Sequence, residues 1–342
     1  MPDPGLLRFS VWWQHIVPPV LAAAYLAVAL GALAPGALVA MLLPFLGSVV
    51  GIAGFGYYLN DVCDLAADLA AGKANSAAAQ GRPARAAILF GLLALGLSPW
   101  ILLPRHPLNL ALLGLQVALL TLYSARPFRL KERGFAGAVA DTLYGHLLPV
   151  AITVATFFPG LAGRTAANLL AALPLAVLGA LLLAAKGLRN ILLHQLGDRE
   201  NDRRAGIRTF VLAAGPVRAL NLINRLLLPL ELGALVSVLV LLAPAAPVWV
   251  GFVGFLVFTA LMFSAWKFPY LPPRQLRFKF LYFLNDFYEE WLPPTLLAIA
   301  VARYGELWPL LPLHFALFPK GLAKIPGNLS VLRQNFVHAA DF

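Results

Sequence analysis

The chain has 342 residues, of which 61% are hydrophobic and 12% charged, with a mean hydropathy of +0.80 and a formal net charge of +11. This lies far outside the range of soluble globular proteins and marks an integral membrane protein; no nucleic-acid motif accompanies the positive charge, so nucleic acid is not an expected partner. The lone cysteine, Cys63, excludes an intramolecular disulfide and a Cys-based zinc centre.

A helix needs about 20 apolar residues to cross a bilayer core. Nine such runs follow in chain order: 16–34, 38–60, 85–103, 107–124, 138–158, 168–193, 221–243, 247–266 and 283–304. Barrel strands would instead be segments of about 10 residues with alternating polarity. The predicted fold class is therefore an all-α, polytopic membrane helical bundle of about nine transmembrane helices. The first run is full length and lacks a small-residue cleavage pattern, so it is expected to stay in the protein. Residues 1–304 are expected to form one transmembrane domain, with 305–342 an apolar, Pro-broken tail at the interface.

Charge orients the bundle. With the N-terminus inside, 20 Lys and Arg fall on inner segments, against 3 (Arg105, Arg164 and Arg303) on outer loops. The positive-inside rule then puts the basic loops in the cytoplasm, and the expected location is a bacterial inner membrane. The second, fourth, sixth and eighth runs all end on that face. The loops after them are polar, whereas "APGA", "PRHP" and "APAAP" on the other side are small turns.

The second run ends in "YYLNDVCDLAADLAAGKAN". Asn60, Asp64 and Asp68 are four apart and Asp61 precedes Asp64 by three, so a helix continuing past the membrane edge would carry them on one side. Like charges this close repel unless a cation is bound, and oxygen ligands without His or Cys favour Mg2+ over zinc. The loop after the fourth run, "YSARPFRLKERG", supplies Arg129 and Lys131 as charges for phosphate oxygens. In the fifth run, Asp141 beside His146 is a secondary site candidate. The sixth run ends in "HQLGDRENDRRAGIRT", where Asp198 and Asp202 are again four apart, with His194, Arg199, Glu200 and Arg203 close by. Two acidic helix ends on one membrane face suggest metal ions bridging the protein to a polyphosphate.

Other polar residues have simpler readings. Trp12 and Trp13 read as an interfacial belt, a reading that also competes for Tyr57, Tyr58 and Tyr123. His194 reads as a hydrogen-bonded helix-end residue or as a general base. In "LNDFYEEWLPP", Asp286, Glu289 and Glu290 with Asn285 read first as acidic residues favoured in a helix's opening turn, with an acceptor-facing or metal-adjacent role as the alternative.

The pair "NDVCDLAAD", N-D-x-x-D-x-x-x-D, and "DREND", D-x-x-x-D, resembles the two aspartate-rich motifs of the UbiA superfamily of intramembrane prenyltransferases. "YSARPFRLKERG" is similar to that family's "YS…P…K" segment, and nine runs match its helix count. The resemblance spans the first run to the ninth. It implies a central cavity in the bundle and Mg2+ held by Asn60, Asp61, Asp64, Asp68, Asp198 and Asp202. It also implies an isoprenyl diphosphate donor bound by these ions with Asn60, Lys73, Arg82, Arg129, Lys131, Arg199 and Arg203. The prenyl group would pass to a lipophilic, often aromatic, acceptor. Tyr57, Tyr58, Tyr123 and Tyr144 could stabilise the allylic cation through their π faces.

The chain departs from the family's common pattern in two places. An R-x-x-R-P type segment often follows the third aspartate; here the loop is "LAAGKANSAAAQGRPAR", leaving Lys73 and Arg82 to stand in for the arginines. His194-Gln195 replaces an aspartate that some members carry upstream of the second motif. The competing expectations are a same-fold terpene cyclase or polyprenyl-phosphate phosphoribosyltransferase, or a non-catalytic lipid-binding or transport protein. Transporters usually place ionisable groups at mid-membrane on broken helices, whereas these clusters stand at helix ends.

Overall fold

The computed structural model describes residues 5, 7–161, 166–204, 206–265, 281–324 and 326. All nine apolar runs fall on helices: α1 (Phe9–Ala29), α2 (Pro35–Ala70), α3 (Arg82–Leu97), α4 (Pro107–Ser124), α5 (Phe135–Phe157), α6 (Ala166–Arg204), α7 (Pro216–Leu242), α8 (Trp249–Ala265) and α9 (283–303). A tenth, α10 (Leu310–Leu317), follows. Among the described residues, seven helices, α1 to α7, are long and apolar enough to cross a membrane. The eighth has 17 residues, and α9 opens with Asp286, Glu289 and Glu290. The basic loop carrying Lys267, Arg274, Arg277 and Lys279 lies outside the described residues, as do Arg164 and residues 327–342.

Helix length sets where the motifs stand. At 36 residues, α2 is about 54 Å long, nearly twice the hydrocarbon thickness of a bilayer, and the 39-residue α6 is longer still. Their last turns therefore carry "NDVCDLAAD" and "DREND" beyond the apolar part of each helix.

The first helix packs against α2, α5 and α9; α2 packs against α3 and α4; and the succession α4, α5, α6, α7 follows by neighbour contacts. Lipid gives no hydrophobic drive for such contacts, so close packing of small residues must supply it. At the α2–α3 crossing, a Cβ on Gly51 would overlap Gly96 backbone and stand 2.7 Å from Leu92 O. On the α5–α6 side, a Cβ on Gly187 would stand 2.6 Å from Thr142 Cγ2.

Among the described residues, three helices contain a π-helical turn: Leu143–Leu147 in α5, Ile223–Leu227 in α7 and Phe287–Trp291 in α9. Such a turn holds one residue more than an α turn and re-aims the side chains on it. Inside the bundle, Arg189 of α6 donates from Nε and Nη2 to the Glu231 carboxylate of α7 at 2.6 and 2.8 Å, both side chains being fully buried. Its remaining donors reach Leu281 O at 2.7 Å and Asn285 Oδ1 at 2.8 Å, which ties α6 and α7 to α9.

The segment after α9 returns to the bundle. Trp13 Nε1 and Gln14 Nε2 of α1 donate to Leu317 O at 2.9 and 3.2 Å, and Phe318 stacks on Trp13 with centroids 5.5 Å apart. Lys320 and Lys324 then pair with Asp286 and Glu290 of α9. The acidic start of α9, read from sequence as favoured by the helix dipole, thus also has lysine partners from a segment more than 30 residues on.

Candidate active site

A cavity of about 810 Å³ runs through the bundle. Along α2 it is lined by Phe45, Ser48, Val49, Ile52, Ala53, Gly56, Tyr57, Asn60 and Asp64, the three-and-four spacing of one helix face. From Phe45 to Asp64 that face covers about 28 Å of axis. Toward Phe45 the walls are apolar, with Trp100, Leu113 and Ile152; around Asn60 and Asp64 they are polar, with Ser124, Lys131, Asp198 and Asp202. The two aspartate motifs therefore meet at one end of one cavity.

The first motif divides between two faces. Asn60 and Asp64 face the cavity, where the loop after α4 reaches over them. Lys131 Nζ donates to Asn60 Oδ1 at 2.7 Å and to Asp64 Oδ2 at 2.5 Å, and Arg129 Nη2 donates to Asp64 Oδ1 at 3.0 Å. Arg129 has a left-handed backbone, φ 38°, and donates from Nε to Glu132 Oε1 at 2.7 Å. Burial alone would lower its pKa, but the hydrogen bonds and charges of Glu132 and Asp64 outweigh that and raise it. The same loop is pinned to the loop after α6, where Gly134 N donates to Arg208 O at 3.1 Å.

Asp61 and Asp68 do not line the cavity; they hold the loop that follows. Ser76 Oγ donates to Asp61 Oδ2 at 2.6 Å, and Arg8 Nη1 lies 3.3 Å from Asp61 Oδ1. Asn75 Nδ2 donates to Asp68 Oδ2 at 2.8 Å and to Asp61 O at 2.9 Å. Lys73 and Arg82 flank this loop as exposed residues off the cavity wall, while Arg85 Nε donates to Ala77 O at 2.9 Å.

The second motif supplies Asp198 and Asp202, both on the cavity wall, with His194 Nε2 3.3 Å from Asp198 Oδ2. Arg199 and Arg203 are off the wall, and Arg203 pairs with Glu200 at 3.0 Å in solvent. Gln195 is buried and accepts from Val211 N at 3.3 Å. Also on the cavity wall, Tyr123 and Tyr144 meet edge-to-face at 5.1 Å, and Tyr144 Oη donates to Asp141 Oδ1 at 2.6 Å. Tyr57 is on the wall and stacks on Trp12 at 6.4 Å, whereas Tyr58 is fully buried off it. Asn285, Asp286 and Glu289 from the start of α9 line the cavity as well, and Arg8, His15, Gln116, Asn190 and Lys320 do so without having been singled out for it from sequence.

The model of the UbiA prenyltransferase family matches residues 16–287. The chain belongs to that family. It is thus an integral membrane protein of UbiA fold. Solved structures of a UbiA homolog from Archaeoglobus fulgidus agree with this. The one bound to DMAPP and Mg2+ has a TM-score of 0.57 at 15% identity, covering 86% of this chain and 99% of that one. The one bound to GPP and Mg2+ has a TM-score of 0.56 at 16% identity, covering 86% and 98%. No curated protein matches the chain.

The donor set fits a hard cation. Among the described residues no group of three or more His, Cys, Asp or Glu side chains is arranged to hold a metal alone. Asn60 with Asp64, and Asp198 with Asp202, instead offer oxygen ligands in pairs. Mg2+ is commonly held by one or two carboxylates, its shell completed by water and substrate phosphate.

Proposed function

We propose that the protein is a Mg2+-dependent intramembrane prenyltransferase that ionises an isoprenyl diphosphate and transfers the prenyl group to a lipophilic acceptor. The carrying observation is the cavity: one continuous space with Asn60, Asp64, Lys131, Asp198 and Asp202 at one end and apolar walls beyond them. Its shape matches a molecule that is a polyanion at one end and hydrocarbon at the other. The homolog structures with bound DMAPP or GPP and Mg2+ support the same reading. The excess of basic residues in the loops at this end supports a cytoplasmic orientation, in a bacterial inner membrane.

Asn60 and Asp64 from α2, and Asp198 and Asp202 from α6, would hold Mg2+, which when bound neutralises the diphosphate and stabilises the charge it gains on leaving. Asp61 and Asp68 keep the 71–81 loop in place. Lys131 and Arg129, which now neutralise Asp64, lie where they can move their hydrogen bonds to phosphate oxygens. Tyr57, Tyr123 and Tyr144 offer π faces to the allylic carbon beneath the diphosphate and exclude water from it.

The test uses purified protein with labelled geranyl diphosphate, with and without Mg2+ and a panel of phenolic acceptors. Diphosphate release that needs both the metal and an acceptor is the expected result. Neither turnover nor Mg2+-dependent donor binding would overturn the reading.

A further inference from the structure

Deeper in the cavity than the aspartates stands a polar pair that the donor chemistry leaves unused. His15 of α1 lines the cavity with 48% of its side chain exposed, and its Nδ1 is 2.7 Å from Oε2 of Glu289 on α9. Glu289 is 4% exposed and belongs to the π-helical turn Phe287–Trp291, the device that turns its carboxylate toward α1. An ionised carboxylate only accepts, so Nδ1 donates; in the neutral form of the ring this leaves the proton on Nδ1 and Nε2 as an acceptor.

Depth along the helices puts this nitrogen beneath the diphosphate end. Arg8 pairs with Asp61, next to Asn60, and His15 lies seven residues further along α1, about 10 Å of axis. Trp12 stacks on Tyr57, which fixes the register of α1 against α2 and sets His15 about one turn, roughly 5 Å, below Tyr57. The charged and titratable groups around His15 are Glu289, whose Oε2 also accepts from Lys320 Nζ at 3.1 Å, Asp286 of α9, Arg8 just before α1, His146 of α5 and Lys186 of α6. His146 and Lys186 border, with His15, a second small pocket of about 10 Å³, on the order of one water molecule.

We propose that His15, oriented by Glu289, is the base that takes the acceptor's proton, and that the acceptor is a lipophilic hydroxyl compound. This rests on the donor reading above. The allylic C–O bond breaks with its electron pair leaving on diphosphate. An acceptor oxygen lone pair forms the new bond to the allylic carbon. The hydroxyl proton passes to His15 Nε2, and the imidazolium is balanced by the Glu289 carboxylate until the proton is returned to water.

Full-length protein in detergent is given geranyl diphosphate, Mg2+ and, in parallel, phenol, 1-naphthol or 1-decanol. His15→Gln carries the decision, because glutamine keeps a donor for Glu289; Glu289→Gln is run beside it with thermal unfolding as the control. His15→Gln is expected to bind geranyl diphosphate with Mg2+ within about threefold of wild type. It should lose transfer by about 10²-fold or more and flatten the acid limb of the kcat/KM profile. Transfer within threefold of wild type, or an unchanged acid limb, overturns the proposal. Equal loss of donor binding also overturns it, by making the pair a structural tie between α1 and α9. If the wild type binds the donor but prenylates none of the three hydroxyl compounds, this proposal falls and the donor reading stands. If it neither binds nor cleaves the donor, both fall.

Discussion

Lys131 holds Asn60 and Asp64 together, its ammonium donating to Asn60 Oδ1 at 2.7 Å and to Asp64 Oδ2 at 2.5 Å. A residue of the loop after α4 thereby covers the two side chains of the first motif that face the cavity. Replacing it with methionine keeps the stem and removes the charge. Hydrogen bonds to charged groups contribute about 1.5–3 kcal/mol, so Lys131→Met should weaken geranyl diphosphate binding by about 10- to 100-fold with Mg2+ present. Calorimetric titration reads this directly, and an unchanged Kd would remove Lys131 from the donor site.

The two faces of the first motif should separate by mutation. Asp64→Asn is expected to abolish the Mg2+ dependence of donor binding, because it removes a cavity-facing carboxylate. Asp68→Asn should leave that dependence intact, since Asp68 accepts from Asn75 and holds the 71–81 loop. Asn75→Ala should instead make the loop cleavable by protease, losing hydrogen bonds of about 1 kcal/mol each. Equal loss of metal dependence in both aspartate variants would show that Asp68 also serves the cation.

Arg189 and Glu231 form an ion pair with no solvent contact. Removing one partner strands a charge in a dry interior, at a cost of about 3–5 kcal/mol in such sites. Arg189→Met should therefore lower the unfolding temperature strongly, and adding Glu231→Leu should recover part of the loss. The double variant being less stable than Arg189→Met would contradict an isolated pair and show that Glu231 is held by groups other than Arg189.

The α2–α3 crossing depends on the absence of a side chain. Gly51→Ala sets a methyl against Gly96 backbone, so the helices must separate, and overpacking of this kind costs about 1–3 kcal/mol. Gly91→Ala is the control, because a Cβ there meets nothing within 4 Å. Thermal unfolding in detergent should show a lower midpoint for the first and none for the second.

Apolar runs made the bundle legible in sequence, since only a helix satisfies its own backbone in lipid. The four-residue spacing of Asn60 and Asp64, and of Asp198 and Asp202, was equally readable, and each pair does share a helix face. The different orientation of Asp61 and Asp68 was not, because it depends on "KANSAA" folding back so that Asn75 and Ser76 reach them. His15 and Glu289 are separated by 274 residues and meet through the packing of α1 on α9. Glu289 was within reach of sequence reasoning as part of "LNDFYEEWLPP"; the rule that an intramembrane ionisable residue marks a site would have raised His15 too, but not paired the two. The π-helical turn at Glu289 left no trace in periodicity, which assumes 3.6 residues per turn throughout.

That turn bears on how the gene could change. In α9 the residues before and after Phe287–Trp291 are phased for different partners: Asn285 for Arg189 on one side of the turn, Thr295 for Gly251 on the other. A π turn takes up its extra residue within about one turn, so deleting a single codon inside it would return a regular helix with both halves near their present phase and would re-aim only the residues of the turn, Glu289 among them. The length of this stretch can therefore change by one residue without unseating its flanks, and what such a change gives up is the aim of Glu289 at His15.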